Sequence, residues 1–393
     1  MNLVTIGIEH TMKKSLSARL SLMSANGLIY GLNALYYCFI QLYIGKYHPE
    51  SVTGVLLAIG PLVSIFAPIL WGIVADKAKS KNIVLAATLI GAAVFYFLLM
   101  FNQSFWYLAA MLTLLMFFMS SFPGLVDIIT LEYTAENNVA YGPLRITGTF
   151  MFGLLPMVLT GFTETNINII FYAYIIMAAL SVAAIMTAPK VAGHGSTGRS
   201  PSIITLFRDH KLMLIFLFVG VSQFTWAYYL NFFPGHLTGD LGLSQQVWGV
   251  NTFITVLGEL PFFLAFNKLF DKFGMKKLLL LSLILVTLRY AGLAFLTNVP
   301  LLLIVGLLTG FATTVFTYCG SVYINSDVAP ESKASANSLM YALGNGIPKV
   351  MAGVLGGVMT EGIGYTASMV ICTLLCAAAL VLFFATFARE KAK

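Results

Sequence analysis

The sequence predicts an all-α membrane protein of twelve transmembrane helices, arranged as two pseudo-symmetric six-helix halves. Three observations predict it. Hydrophobic residues make up 59% of the 393-residue chain and charged residues only 9%; a soluble domain carries roughly 25%, so the charges here are too few to cover a water-facing surface. Apolar runs of about 20 residues recur along the chain, the length that crosses a bilayer as helix. In lipid such runs must be helical, because every backbone polar group needs an internal partner. Finally, a charged loop after the second run is echoed after the eighth, about half a chain later.

Twelve runs are read in order: 18–44, 52–75, 83–101, 105–128, 142–162, 167–188, 211–235, 245–267, 276–297, 299–325, 335–360 and 364–388. The longest polar stretch, Pro189 to His210, is rich in Gly, Ser, Lys and Arg and reads as a linker. It divides the chain into a first half at 1–188, a linker at 189–210 and a second half at 211–393.

Lysine and arginine set the orientation. With both termini cytoplasmic, that side holds Lys13, Lys14 and Arg19; Lys77, Lys79 and Lys81; Lys190, Arg199, Arg208 and Lys211; Lys268, Lys272, Lys276 and Lys277; Lys333; and Arg389, Lys391 and Lys393. The opposite loops hold only Lys46, the asymmetry of the positive-inside rule. The formal net charge of +7 therefore sits at membrane edges, which argues against nucleic acid as a partner. Cys38, Cys319, Cys372 and Cys376 all fall in apolar runs, without metal-ligand spacing or a disulfide framework, so no metal or cofactor is expected. The first apolar run is too long for a cleaved signal peptide. No catalytic Ser/His set is present, so the chain does not read as an enzyme.

The echoed loops are Gly72-Ile-Val-Ala-Asp76-Lys77-Ala-Lys79-Ser-Lys81 and Asn267-Lys-Leu-Phe-Asp271-Lys272-Phe-Gly274-Met-Lys276. Their aspartates are 195 positions apart (271 − 76). Repeated halves of six spans are the signature of an alternating-access carrier.

Five charges stand inside the runs: Asp127, Arg145, Glu259, Arg289 and Lys349. Each costs at least ~2.5–3.5 kcal/mol to place in a bilayer, so it is rarely left on a lipid face. Asp127 and Arg145 lie on consecutive antiparallel runs and can meet. They form a candidate substrate clamp, in which the carboxylate accepts from hydroxyls and the guanidinium donates; a structural ion pair is the plainer alternative. Glu259 is the first candidate for a coupling proton, since a buried carboxyl can cycle between neutral and charged forms. Arg289 on the next run would favour the charged form, with a static Glu259–Arg289 pair as the alternative, and Asp127 is a further coupling candidate. Lys349, beside Pro348, reads as an anion ligand or as a side chain snorkelling to the interface.

Polar stripes at helical spacing accompany these charges. Run one carries Asn26, Tyr30, Asn33, Tyr37 and Gln41. Run five carries Arg145, Thr149, Phe152 and Pro156, and run seven Gln223, Trp226 and Tyr229. Run eight carries Asn251, Thr255 and Glu259. Run ten carries Thr314, Thr317, Tyr318, Ser321 and Asn325, and run eleven Ser338, Tyr341, Asn345 and Lys349. Any one of these reads equally as interhelical glue; six together can line one water-filled cavity. Asp127, Arg145, Phe152, Asn33, Tyr30, Trp226, Tyr229, Asn345 and Lys349 are the candidate substrate contacts. Aromatic faces among amides and hydroxyls suit a ring bearing hydroxyls. Asp327 and Glu331, like Glu132 and Glu136 in the first half, read as solvated gate or turn residues.

The two loop motifs resemble those of the major facilitator superfamily, and the likeness runs through the whole chain. Gly72, Asp76, Lys77 and Lys81 match the first copy, with Lys79 where glycine is usual. Asp271, Lys272, Gly274 and Lys276 match the second, with Asn267 in place of glycine. The resemblance implies a conformational gate at these residues. Within the superfamily, Asp127 followed by Tyr141-Gly142-x-x-Arg145-x-x-Gly148, then Gly258-Glu259-Leu260, Arg289 and Glu361-Gly-Ile-Gly364, resemble the oligosaccharide, nucleoside and phenylpropionate proton symporters, the clan of lactose permease. Trp226, Tyr229, Asn345 and Phe152 stand where lactose permease has two aspartates, a lysine and a tryptophan, which puts lactose itself in doubt.

The resemblance implies a monomeric, proton-coupled symporter of a small polar ring compound, sugar or nucleoside, working by alternating access; the lysine content and the absence of a eukaryotic targeting pattern point to a bacterial inner membrane. One alternative is an importer of aromatic or other small carboxylates. Another is a drug or sugar efflux antiporter, although run five lacks the G-x-x-x-G-P-x-x-G-G element of such carriers. A facilitator without proton coupling is a third.

Overall fold

The computed structural model describes residues 3–192, 203–329 and 332–387. Arg199, Glu331, Arg389, Lys391 and Lys393 lie outside the described residues, as do much of the linker and the side chains of Lys13, Lys14, Asn267, Thr309, Thr313 and Thr314.

Every regular element among the described residues is helical. The first six spans are α1 (Leu3–Gly45), α2 (Glu50–Lys77), α3 (Lys81–Leu98), α4 (Phe105–Asn137), α5 (Tyr141–Thr163) and α6 (Ile169–Thr187). After a 3₁₀ turn at Ile203–Arg208 comes α7 (His210–Asp240), whose last turn is π-helical. The rod Gln245–Phe295 turns at Gly274, giving α8 (245–273) and α9 (275–295). Next is α10 (Val299–Asp327); the last rod turns at Gly364, giving α11 (333–363) and α12 (365–387). Among the described residues, nine helical stretches are long and apolar enough to cross a membrane, the last of them containing both α11 and α12. Divided at the two glycines, the helices number the twelve that the apolar periods predict.

Local chemistry explains the breaks. Gly274 has φ 71° and Gly364 φ 82°, the left-handed region in which a Cβ is costly. No atom crowds either glycine, so the backbone angle, not space, requires them. Two interruptions were not foreseen: α2 breaks at 64–66 and α4 at 120–121, and each resumes with proline in its first turn, Pro68 and Pro123. Proline fits there because its missing N–H has no helical partner to lose. Asp209 caps α7 by accepting from Lys211 N at 3.1 Å and Leu212 N at 3.0 Å, satisfying two of the orphan donors of a helix start.

The described chain forms two compact units. The first comprises 3–36, 66–155 and 168–192; the second comprises 37–65, 156–167 and 203–387. The boundaries fall at the α2 interruption and at Pro156 inside α5.

In the first unit, α3 packs between α4 and α6. Tyr96 stacks on Tyr174 with centroids 4.0 Å apart, and its hydroxyl donates to Leu35 O at 3.1 Å. The start of α3 is pinned to the end of α6: Asn82 Nδ2 donates to Ile185 O at 2.9 Å and Pro189 O at 3.1 Å, while Lys81 N donates to Val191 O at 2.8 Å.

In the second unit, three crossings join the early segments to the later helices, all toward the end that carries Lys46. The first part of α2 lies on α11 with backbones nearly touching. A Cβ on Gly54 would meet Gly353 O at 2.2 Å, and one on Gly357 would meet Glu50 O at 2.4 Å; small residues permit such approach where helices pack in lipid. The end of α5 lies on α8 at Gly249, where a Cβ would meet Pro156 O at 2.7 Å. Gln246 Nε2 bonds Met157 O at 2.9 Å across that crossing. The end of α1 is held by Trp248, fully buried, whose Nε1 donates to Cys38 O at 3.0 Å.

Candidate substrate site

The first unit brings Asp127 and Arg145 together, as their places on consecutive spans predict. Arg145 Nε lies 3.2 Å from Asp127 Oδ1, with a quarter to a third of each side chain exposed. Arg145 Nη1 also reaches Thr149 Oγ1, one turn along α5, at 3.3 Å. The guanidinium lies over Tyr30, its carbon 3.7 Å from the ring centroid, and the hydroxyls of Tyr30 and Tyr141 approach the Asp127 carboxylate. Gly148 makes this stacking possible, since a Cβ there would sit 2.7 Å from the Tyr30 ring.

The scaffold beneath is polar and tightly bonded. Asn26, fully buried, donates to Thr130 Oγ1 at 3.0 Å and ties α1 to α4; Thr147 donates to Met23 O at 2.9 Å and ties α5 to α1. Asn33 is also buried and donates to Ile29 O of its own helix at 3.2 Å. The α1 stripe thus divides. Asn26 and Asn33 bond to Thr130 and to the backbone of α1, Tyr30 lies under the Arg145 guanidinium, and Tyr37 and Gln41 belong to the second unit. Phe152 lies half-buried two turns past Arg145 on α5. Tyr141 was visible in the sequence only as a motif position; its i, i+4 relation to Arg145 was the signal that places it at the clamp.

The second unit holds the other candidates. Arg289 is fully buried on α9. Its guanidinium carbon lies 4.2 Å from the Tyr229 ring, 5.0 Å from Tyr290 and 5.5 Å from Trp226. Nη1 donates to the Tyr290 hydroxyl at 3.1 Å, while Nε and Nη2 have no hydrogen-bond partner among the described residues. Three ring faces offset part of the burial cost, each about 1–2 kcal/mol when desolvated. Tyr229 donates to Asn251 Oδ1 at 2.5 Å and is buried, whereas Trp226, stacked on it, is half-exposed. Glu259 is half-buried on α8. Asn345 lies in the π turn Met340–Gly346 of α11, and Lys349 follows just past it, half-buried.

Of the loop residues, Lys81 is buried and ion-paired to Glu132 of α4. Glu132 is therefore a bonded partner rather than a solvated turn residue, while Glu136 is exposed. Gly72 and Asp76 are half-buried, and Lys77, Asp271 and Lys272 are exposed. The four cysteines are free and buried, and no His/Cys/Asp/Glu cluster able to hold a metal occurs among the described residues.

Helices throughout the described residues, long enough to span a membrane and carrying charged groups within their apolar runs, are the architecture of a membrane carrier. The sequence model of the MFS_1-like family matches residues 28–385, and the chain belongs to that family. Its relatives are permeases. It is 27% identical over 327 residues to the maltose permease of Geobacillus stearothermophilus, covering 79% of each chain. It is 25% identical over 350 residues to the nucleoside permease NupG of Escherichia coli, covering 83% of this chain and 82% of that one. An uncharacterized transporter of Bacillus subtilis, YwbF, is 25% identical over 310 residues, covering 78% of this chain and 77% of that one. Among solved structures, a point variant of the nucleoside transporter NupG superposes with a TM-score of 0.85 at 20% identity, covering 94% of this chain and all of that one. A bacterial homolog of the human lysosomal transporter Spinster, inward-facing and occupied, gives 0.70 at 14% identity, covering 93% and 95%. These likenesses establish the major facilitator fold.

Proposed function

We propose that this protein is a proton-coupled importer of a small hydroxylated ring compound, a nucleoside or sugar, working by alternating access. The observation that carries the reading is the Asp127–Arg145 pair, still partly exposed and lying on Tyr30. A carboxylate and a guanidinium side by side offer acceptors and donors to vicinal hydroxyls, and each preorganises the other. The Tyr30, Tyr141 and Thr149 hydroxyls and the Phe152 ring extend that surface. Relatives named as nucleoside and maltose permeases support the same substrate classes.

In this reading the halves 1–188 and 211–393 rock about the site, with both termini cytoplasmic and Lys46 outside. The contacts of Gly54, Gly249 and Trp248 then form the outer closure. The loop motifs at Gly72, Asp76, Lys77 and Lys81, and at Asp271, Lys272 and Gly274, act as the inner gate. The working unit is a monomer in a bacterial inner membrane. Glu259 carries the coupling proton; Arg289, a permanent cation on the neighbouring α9, favours its release.

The test is substrate-driven proton movement in liposomes, with uridine, D-glucose and benzoate as probes and Glu259→Gln alongside. Uridine or glucose should alkalinise the medium with the parent, while Glu259→Gln should exchange substrate without accumulating it. Uptake with no proton movement in either protein would reduce the carrier to a facilitator.

A second reading, an importer of small carboxylates, draws on Arg289 and Lys349, two cations with no carboxylate ion-paired to them among the described residues. A signal from benzoate alone would select it.

A further inference from the structure

A polar cavity of 370 Å³ opens in the second unit at the Lys46 end. Neither Asp127 nor Arg145 lines it, since both belong to the first unit. Its volume is within the roughly 300–1,000 Å³ typical of small-molecule sites. Its walls come from six helix ends: Gln41 of α1 with Lys46 just past it, Glu50 of α2, Glu164 just past α5, Thr238 of α7, Gln245 of α8 and Tyr365 of α12. Glycines on α1 and α7 leave part of the floor without side chains.

Gln41 is the informative member. It is 5% exposed, and its Nε2 has no hydrogen-bond partner among the described residues. A buried donor left unsatisfied costs about 1–3 kcal/mol, and Gln41 lines the cavity, so a rotation of its terminal amide would bring Nε2 to an acceptor held there. Lys46 adds a second donor at the rim. The acceptors opposite are carboxylates with one oxygen already used: Glu50 Oε1 takes the Tyr365 hydroxyl, and Glu164 Oε1 takes Gln245 N at 3.4 Å. Each keeps its second oxygen for a ligand.

Charge narrows the class of ligand. An anion would face two carboxylates, and a metal cation would find no ligand cluster among the described residues. A neutral ring carrying several hydroxyls can donate to both carboxylates and accept from Gln41 and Lys46, with the Tyr365 ring as a wall. We propose that this cavity is a second ligand site, which holds a neutral polyhydroxylated ring of monosaccharide size. The choice of ligand stands on the cavity's own groups and does not require that the same compound be transported. Occupancy would bridge the ends of α1, α2 and α5 to α7, α8 and α12, and so favour the conformation in which those ends are joined.

The experiment uses a reporter on the rim. All four native cysteines are buried, so a membrane-impermeant maleimide should report on Thr165→Cys, an exposed wall position. The full chain in liposomes is labelled with and without D-ribose, D-glucose or uridine, in the native background and in Arg145→Gln. At least one probe should slow labelling about tenfold, and the protection should survive Arg145→Gln. Gln41→Leu should raise the probe concentration needed about tenfold, the loss of one hydrogen bond to a buried donor. If Gln41→Leu does not fold, Glu164→Gln, altered at an exposed side chain, makes the same test.

The inference is overturned if none of the three probes slows labelling. It is equally overturned if protection vanishes in Arg145→Gln and is indifferent to Gln41→Leu. Uptake measured in the same vesicles keeps the two proposals apart. Protection without uptake supports this site and removes the transport reading for that probe; uptake without protection removes only this site.

Discussion

Two arginines inside the membrane spans are held in opposite ways. Arg145 has a carboxylate, a hydroxyl and one ring around it, and a quarter of its side chain is exposed. Arg289 has three rings and one hydroxyl, no exposure, and two nitrogens without a hydrogen-bond partner among the described residues. At Arg145 every bond is one a ligand hydroxyl could share or replace, so the charge is paired yet available. At Arg289 the rings hold the cation without neutralising it. Pairing makes the first suited to binding; an unneutralised charge makes the second suited to biasing the ionisation of a neighbour.

Substitutions can break or sharpen this contrast. The largest effect should come from Asp127→Asn, which leaves Arg145 half-buried without its counter-charge. Losing one partner costs about 3–5 kcal/mol in a fully buried pair and roughly 0–1 in an exposed one; this pair lies between them, so uptake of the transported probe should fall about thirtyfold in liposomes. Arg289→Met should behave differently. It orphans no carboxylate ion-paired to the guanidinium and removes a buried charge, so the melting temperature in detergent should hold or rise; accumulation should be lost while exchange persists. A fall of many degrees would instead make Arg289 a structural keystone.

Tyr30→Leu removes the ring under Arg145 and should weaken probe binding about tenfold, read as a rise in Kd, in line with roughly 1–2 kcal/mol for a desolvated cation–π contact. Tyr229→Phe keeps the ring over Arg289 but deletes the bond to Asn251. It should lower the melting temperature by about 2–4 °C for a loss near 1 kcal/mol. Thr149→Val should be mildest: one bond at 3.3 Å is removed beside an already paired guanidinium, and uptake should drop only a few-fold.

Much of this was legible in the chain. Span length and charge scarcity gave the helices, and Gly274 and Gly364 stand where the polar loops demanded turns. Asp127 and Arg145 met because consecutive antiparallel spans leave few other places for their charges. The rest depends on contacts distant in sequence. Asn26 and Asn33 read as part of a polar stripe by periodicity, and their bonds to Thr130 and to Ile29 O could not be read there, since periodicity gives a face but not what covers it. The Trp248 bond to Cys38 O spans 210 positions, and a backbone carbonyl leaves no mark in a sequence. Gln41 stood in the α1 stripe, but that its Nε2 has no partner among the described residues appears only once its surroundings are built. The pairing of Lys81 with Glu132 was hidden for the same reason, since each reads alone as an ordinary loop charge.

The crossing of α2 over α11 has one more consequence, and it concerns descent rather than mechanism. At Gly54, Gly353 and Gly357 the nearest obstacle to a side chain is backbone, and backbone cannot swing aside into another rotamer. Divergence at these positions therefore has no compensating change elsewhere to travel with, unlike the Asp127–Arg145 pair, whose partners are side chains and can change in concert. As lineages diverge, that pair is free to drift, while these three positions should stay glycine throughout.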